Sequence, residues 1–277
     1  MASLNVCTTQ VKQKDFRFEL DDIDSSYFKP LVDTILNHSQ IKFERVEKGS
    51  VDFFYEHDSF FDKQMPILMN EALESKKHCE GLLGNQPTTH KIRIIYFNNR
   101  EKLRPFLKMT PKGYALPDAY TLLIATHDSL RAYHTHELMH IVSISQFGGY
   151  AAQPADWIQE GIAVYADSPC MHYPIHAIAA NLLYSKKNAP LDSIFYRFRT
   201  LPDMAGYMLA GSVAQYFIEN YGMDKFTMLW KKGAGELRQI INMSPEDFEK
   251  EYHEFLRKIY KQKPEIDWGL LNAKGCG

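Results

Sequence analysis

Apolar and polar positions follow two different periods in the first half of the chain. Short runs rich in β-branched and aromatic residues, which are typical of strands, occur at Phe16–Leu20, Lys91–Phe97 and Tyr120–Thr126. Between the first two of these runs, apolar residues recur at helical spacing from Phe60 to Leu83, and Gly84 follows as a stop signal. The pattern therefore predicts a first half of mixed α and β structure with one long helix.

The second half of the chain has almost wholly helical spacing of its apolar residues. It marks one helix near Leu182, a second over Gly206–Gly222 and a last one over Phe248–Ile259. With 277 residues, 45% of them hydrophobic, the chain has enough apolar material for a sizeable core. We expect an α+β fold in which a sheet-bearing lobe over residues 1–150 meets a mostly helical lobe over residues 151–277.

Composition and charge exclude several classes of partner. The formal net charge is -2 and the sequence has no dense basic cluster, so it lacks the electrostatic footprint of a protein that binds nucleic acid or an anionic membrane. No apolar run in the sequence is long enough to predict a transmembrane helix. The pattern predicts no particular oligomeric state.

The cellular compartment is left open by the sequence. Four cysteines, at positions 7, 79, 170 and 276, have neither metal-ligand spacing nor the density of a disulfide framework. The segment Met1–Cys7 lacks the basic start and the apolar stretch of a signal peptide. This predicts either a cytoplasmic chain or one from which a signal has been removed.

The most informative motif is the run HELMH from His136 to His140. Two histidines four positions apart on a helix project from the same face, so their imidazoles can bind one metal ion, while Glu137 lies beside that face without serving as a ligand. Asp128 and Ser129 supply N-cap chemistry upstream, which predicts that the motif lies in the middle of a helix. The alternative is a pair of core histidines satisfied by hydrogen bonds.

The two histidines predict a third metal ligand, because a catalytic zinc ion usually takes three protein ligands and keeps its fourth position for water. Glu160 is the candidate, since it is the only acid in the apolar helical segment Trp157–Tyr165, twenty residues after His140. The glycines at 148–149 and Pro154 can reverse the chain between the two helices. Alternatively, Glu160 is a carboxylate at a helix N-terminus or an ion-pair partner.

Together, HExxH and the downstream WxxEGxA resemble the gluzincin zinc metallopeptidases, and more narrowly the peptidase MA-like proteins. The resemblance implies a thermolysin-like catalytic domain that holds one Zn²⁺ on His136, His140 and Glu160. The run Gly206–Gly222 is similar to the helix that follows the third ligand in that family, which would make Tyr207 a donor to the oxyanion. A core aromatic with a hydrogen-bonded hydroxyl is the alternative for Tyr207.

The activity that the resemblance implies is zinc-dependent hydrolysis of peptide bonds. Glu137 would act as general base toward a zinc-activated water and then as general acid toward the leaving nitrogen, while the metal and Tyr207 hold the oxyanion. Some gluzincins carry an aspartate at the position of Val164 to orient a ligating histidine, and Asp156 and Asp167 are its candidate substitutes here. The Gly-x-Met-Glu-Asn run of the aminopeptidase branch is missing, which favours an endopeptidase.

A peptide or protein substrate is the expected partner. In related peptidases the strand that leads into the HExxH helix forms the upper edge of the active-site cleft, so we expect a substrate to add to the strand near Tyr120 to Thr126. Pairing of both edges of that strand would exclude this binding mode. Many relatives of the suspected family are exported or held in the cell envelope, so the resemblance favours that location if a signal has been removed.

Two other functions would use the same residues. One is a catalytically silent interaction protein that keeps zinc for structure, although a structural zinc ion is usually enclosed by four protein ligands and has no use for an acid such as Glu137. The other is a zinc hydrolase of a non-peptide amide, which the sequence does not distinguish from a peptidase.

Overall fold

The computed structural model describes residues 28–148 and 154–276. Within these ranges, five strands form one sheet: β1 (Phe43–Lys48), β2 (Val51–Glu56), β3 (Ile92–Phe97), β4 (Gly113–Leu116) and β5 (Thr121–Ala125). Their order across the sheet is β1-β2-β3-β5-β4. The three inner strands are parallel, and each outer strand is antiparallel to its neighbour.

Helices cover most of the remaining described chain. They are α1 (Phe28–Leu36), α2 (Phe61–Leu82), α3 (Arg104–Leu107), α4 (His134–Phe147), α5 (Asp156–Ala166), α6 (Ile175–Tyr184), α7 (Leu191–Arg197), α8 (Asp203–Tyr221), α9 (Met223–Lys232), α10 (Leu237–Ile241), α11 (Pro245–Ile259) and α12 (Trp268–Lys274). The strands all precede α4, and helices dominate from residue 154 onward. The predicted α+β class is therefore confirmed. None of the helices described is both long and apolar enough to cross a bilayer.

Three elements confirm the local sequence pattern. The strands β3 and β5 and the helix α2 lie within one or two residues of their predicted limits. The run Phe16–Leu20 lies outside the described residues. The pattern predicts no strand at β2, although the first three residues of that strand are buried. It also does not indicate β1, whose side chains are mostly exposed, or β4, which has only four residues and begins with Gly113. Neither strand has the buried apolar run that identifies a strand from sequence.

Apolar side chains cover both faces of the sheet, because successive residues of a strand point to opposite sides. On one face, Ile94 and Tyr96 belong to a core that takes in α2 and α4 and continues through α5 and α8 to α11. On the other face, Ile95 and Phe97 pack with α1. The sheet and the helices beyond residue 154 thus share a hydrophobic core, across the boundary predicted near residue 150.

The helix α4 begins later than the sequence predicts. His127 and Leu130 form a tight turn in which each backbone N–H donates to the carbonyl oxygen of the other, at 3.3 and 2.8 Å. Asp128 and Ser129 lie within that turn, so the prediction that they cap this helix is wrong. The helix starts at His134. The HExxH motif therefore occupies its first two turns and not its middle.

The strand predicted to receive a substrate is not an edge strand. β5 pairs with β3 on one side and with β4 on the other, so both of its edges are occupied. The prediction that a substrate binds along Tyr120 to Thr126 is therefore wrong. The sequence of β4, Gly-Tyr-Ala-Leu, contains no β-branched residue, and so its position at the edge was not foreseen. β4 covers β5 and packs against α4, and among the described residues no strand pairs with its outer edge.

A disulfide joins Cys170 to Cys276, while Cys79 is buried with a free thiol. The bond closes a loop with a sequence separation of 106 residues. Two further contacts hold the same end of the chain, because the Cys276 carbonyl accepts hydrogen bonds from the Met171 N–H at 3.2 Å and from Arg131 Nη1 at 3.3 Å. The spacing of the cysteines did not indicate this pairing, since the chain must fold before the two meet.

Replacement of Cys276 by Ser should lower the free energy of unfolding by about 2–4 kcal/mol, because it removes a cross-link that restricts the unfolded chain. Urea unfolding of the oxidised native protein and the variant measures the difference. Reductant should move the native midpoint toward that of the variant and leave the variant's midpoint in place. Equal midpoints for the oxidised native protein and the variant would contradict this expectation.

Candidate functional site

Helices α4 and α5 bring together three side chains of the types that bind metal ions. His136 and His140 stand one turn apart on α4, and their Nε2 atoms are 3.3 Å apart. Glu160 on α5 places its Oε2 atom 3.3 Å from Nε2 of His136 and 3.5 Å from Nε2 of His140. The three side chains, called the triad below, are only 12–17% exposed. The two predicted histidines and the predicted third ligand thus lie in one compact group.

The spacing of the triad suits one tetrahedral metal ion. Zinc–ligand bonds of about 2.0–2.1 Å at tetrahedral angles place neighbouring ligand atoms about 3.3–3.4 Å apart, which is close to the three distances observed. Two imidazole nitrogens and one carboxylate oxygen are also a donor set typical of such a site. The triad can therefore hold one metal ion with three protein ligands, and it is the one His/Cys/Asp/Glu group of this kind within residues 28–148 and 154–276.

The charges of the triad stabilise one another. Burial alone would lower the pKa of His136, but the hydrogen bond to Glu160 and the negative charges of Glu137 and Glu160 outweigh burial and raise that pKa to about 9. Burial would likewise raise the pKa of Glu160, yet His140 and His136 hold it well below its usual range. A carboxylate thus faces a protonated imidazole, and a metal ion that binds here displaces the imidazole proton.

Glu137 lies beside the triad with its carboxylate against the edge strand. A Cβ atom at Gly113 would come within 2.6 Å of both Cγ and Oε1 of Glu137, so any other residue at that position of β4 would force the Glu137 side chain to move. The backbone N–H of Ala115 donates to the carboxylate. Burial raises the pKa of Glu137, and the positive charges of His136 and His140 oppose the rise. A raised pKa suits a carboxylate that accepts and returns a proton near neutral pH.

The outer edge of β4 carries backbone groups that face the site. Ala125 N–H donates to the Lys112 carbonyl oxygen at 2.9 Å, so the alternation of an antiparallel pair turns the backbone groups of Tyr114 toward β5. By the same alternation, the N–H and C=O groups of Gly113 and Ala115 point outward. The bond from Ala115 N–H to Glu137 agrees with this direction. Among the described residues, no strand pairs with these outward groups beside the triad.

Tyr207 also lies at the triad, at the start of α8. Its ring centroid is 6.5 Å from that of His136, and its hydroxyl accepts a hydrogen bond from Arg199 Nη1 at 3.5 Å. Burial raises the pKa of Tyr207, the charge of Glu160 adds to the rise, and Arg199 opposes it. The phenol therefore stays protonated at neutral pH and can donate a hydrogen bond.

Arg199 is a site residue that the sequence did not indicate. It lies in the 3₁₀ turn Phe198–Thr200, its Nε donates to Asp156 Oδ2 at 2.7 Å, and its Nη2 is 3.8 Å from Glu160 Oε1. An isolated arginine in a turn matches no motif, so only the approach of this turn to α5 identifies it. Asp156 is thus engaged by Arg199. No described hydrogen bond joins Asp156 to a triad histidine.

Asp167, the other proposed orienting aspartate, is engaged elsewhere as well. It accepts a hydrogen bond from Arg131 Nη2 at 2.5 Å. Its negative charge contributes to the raised pKa of His136, but no hydrogen bond between the two is found in the described residues. Neither candidate therefore occupies the place of the aspartate that Val164 replaces.

Two cavities meet beside the triad, at Gly113 of β4 and His136. A first cavity of about 430 Å³ extends toward Pro117 and Asp118, and a second of about 420 Å³ extends toward Lys112 and Cys276. Four residues line both cavities: Gly113, His136, Glu137 and Tyr207. An extended chain laid along the cleft would therefore have room on both sides of the triad.

Comparison with known proteins adds no relative. No protein-family model matches the sequence, and a search of the curated proteins finds no match either. The triad, the adjacent carboxylate and the cleft along β4 are therefore the basis for a functional hypothesis.

Proposed function

We propose that this chain is a zinc-dependent metallopeptidase that cleaves peptide bonds within a chain. The observation that supports this most strongly is the position of Glu137, a buried carboxylate beside the triad and against an open strand edge. A group that only held a metal for structure would need neither this acid nor the open edge. Zinc is the proposed metal because two imidazoles and one carboxylate with tetrahedral spacing match its preferred ligands.

His136, His140 and Glu160 would hold the zinc ion. When bound, the ion would supply Lewis acidity that polarises a carbonyl group and makes water more acidic. Glu137 would then accept the proton of the attacking water. The same carboxylate would return a proton to the leaving nitrogen, so that one residue acts as general base and then as general acid. Its raised pKa and its fixed position against Gly113 support both roles.

Tyr207 would stabilise the negative oxygen that develops during attack. Its phenol stays protonated and lies near the triad, while Arg199 contacts both its hydroxyl and Glu160. A donor that is already in place when charge develops lowers the barrier, because little reorganisation is needed. Arg199 would position the phenol through the hydrogen bond that it donates to the phenol oxygen.

A peptide would bind along β4 and not along β5. The outward N–H and C=O groups of Gly113 and the C=O of Ala115 can form strand-type hydrogen bonds with an extended peptide, whose side chains would then enter the two cavities. Space on both sides of the triad favours cleavage within a chain over removal of one terminal residue. Hydrogen bonds between backbones depend little on the side chains of the bound peptide. Selectivity among peptides would therefore come from the residues that line the cavities.

The same site could hydrolyse a non-peptide amide, or it could bind zinc without catalysis. Both alternatives predict a bound metal. The non-peptide hydrolase differs from a peptidase in the bond that is cleaved, and the interaction protein cleaves nothing. The disulfide between Cys170 and Cys276 further suggests function in an oxidising compartment, where such bonds persist. This favours an exported location over the cytoplasm.

The first test measures metal content and peptide cleavage together. We expect elemental analysis of the purified protein to give one zinc per chain, and a library of internally quenched peptides to be cleaved within the sequence. A strong chelator should abolish cleavage and added zinc should restore it. Bound zinc with no cleavage of any peptide would favour the interaction protein or the non-peptide hydrolase, and absence of metal binding would contradict the proposal.

Replacement of Tyr207 by Phe should lower kcat by about 10²-fold or more, because one donor to the oxyanion is lost while the ring is kept. KM and zinc content should change little, since the hydroxyl is not a ligand. Steady-state cleavage of one library peptide by the zinc-loaded proteins measures the effect. Tyr196→Phe, at an exposed tyrosine of α7, is the control. A kcat within about twofold of the native value would assign Tyr207 a packing role only.

A further inference from the structure

Asp118 is a cleft carboxylate that has no partner among the described residues. It follows β4 directly, in the 3₁₀ turn Pro117–Ala119, and lines the first cavity together with the triad. No hydrogen bond or ion pair joins it to another residue of the described ranges. Partial burial raises the pKa of Asp118, and no neighbouring charge opposes that rise. A carboxylate placed in this way is stabilised when a cation binds beside it.

The other charged side chains of the first cavity already have partners. Of the Lys and Arg residues in the described chain, Arg199 lines this cavity. Its Nε donates to Asp156 at 2.7 Å, and its Nη2 lies 3.8 Å from Glu160. Glu160 also pairs with the triad histidines, and Glu137 accepts a backbone hydrogen bond. Within the described residues, Asp118 is therefore the cavity carboxylate whose charge is left uncompensated.

Part of the lining of the first cavity is apolar. Met109, Pro111 and Pro117 line the same cavity, and Met109 is 49% exposed. A lysine or arginine side chain combines a long aliphatic stem with a cationic head, so the stem can lie on these residues while the head reaches the carboxylate. An acidic side chain would meet like charge, and an apolar one would cover the carboxylate without pairing it.

We propose that Asp118 is a specificity residue that selects peptides with a lysine or arginine side chain in the first cavity. This inference rests on the proposed peptidase function, since it takes the peptide to lie along β4. Asp118 follows Ala115 by three residues, and the distance between the two is at most about 10 Å, the length of three residues of an extended strand. A bound peptide spans that distance in about three residues. The basic residue is therefore expected about three positions from the bond that is cleaved.

The test compares Asp118→Asn and the charge reversal Asp118→Lys with Asp128→Asn. The control removes the same charge from an exposed turn outside both cavities. The substrates are quenched peptides that differ only by Lys, Gln or Glu at one position, which is moved along the sequence on either side of the cleaved bond. The measured quantity is the ratio of kcat/KM between paired peptides, so that a general loss of activity cancels.

In the zinc-loaded native protein, the Lys peptide should be preferred over the Gln peptide by about tenfold at one position, as expected for a charged hydrogen bond that solvent partly screens. Asp118→Asn should bring this ratio close to one, and Asp118→Lys should favour the Glu peptide. Asp128→Asn should keep the native ratio. A native ratio of one at every position, or a preference that survives Asp118→Asn, overturns the inference.

Binding supplies a measurement that does not depend on catalysis. Fluorescence anisotropy of labelled Lys and Gln peptides with the zinc-loaded Glu137→Gln protein should show the same preference, and Asp118→Asn in that background should remove it. Equal affinity for both peptides would overturn the inference. If the native protein cleaves nothing while binding shows a preference that depends on Asp118, then the peptidase proposal fails and the site for a basic peptide stands.

Discussion

Replacement of Glu137 by Gln is expected to reduce kcat/KM for peptide cleavage by about 10²–10⁴-fold, while zinc content stays at one per chain. Glutamine has nearly the same shape, so it can keep the packing against Gly113 and accept the same Ala115 N–H. It cannot take a proton from water or return one to the leaving nitrogen. Steady-state cleavage of the best library peptide, with elemental analysis of the same samples, measures both quantities.

Glu254→Gln is the matched control, because it removes a carboxylate from the exposed side of α11. It should cleave at the native rate. Zinc retention by Glu137→Gln distinguishes loss of proton transfer from loss of the metal. If Glu137→Gln cleaves within about twofold of the native rate, then Glu137 does not move the proton and the mechanism proposed here is wrong. Loss of zinc from this variant would instead make Glu137 part of the metal site.

Replacement of His140 by Ala is expected to weaken zinc affinity by more than about 100-fold. Loss of an outer partner of a metal ligand already costs about 10–100-fold, and this change removes one of only three ligands. Cleavage should be lost in parallel at limiting zinc. Competition with a chromophoric chelator measures the affinity. His140 is preferred to Glu160 for this test, because loss of Glu160 would also remove a neighbour of Arg199.

Thermal unfolding gives a second readout for the same variant. Zinc that binds only the folded chain should raise the unfolding midpoint of the native protein in a concentration-dependent way, and this rise should disappear in His140→Ala. His172→Ala, at an exposed loop histidine, should keep both the affinity and the rise. An unchanged affinity in His140→Ala would show that zinc binds elsewhere and would remove the basis for the proposed function.

Elements with strong local patterns were predictable from the sequence. β3, β5 and α2 follow from buried apolar runs and helical spacing, because neighbours along the chain decide which backbone conformation buries their side chains. β1, β2 and β4 were missed. An exposed strand and a four-residue strand owe their conformation to the partner strand, and in β2 the charged Asp52 interrupts the apolar run. The error at Asp128 has the same origin, because backbone hydrogen bonds between His127 and Leu130 place Asp128 in a turn ahead of the helix.

The sequence by itself determined the α+β class, the pair of histidines on one helical face and the acid between them, because helical periodicity alone orients residues four positions apart. It indicated Glu160 as the third ligand, but only the packing of α5 on α4 decides that its carboxylate lies within 3.5 Å of both imidazoles. The tertiary structure alone decided which strand forms the edge and which cysteines pair. It also placed Arg199 and Asp118 in the cleft. These contacts join residues that are far apart in the chain. The spacing of apolar residues within one segment does not predict which distant segment it will contact.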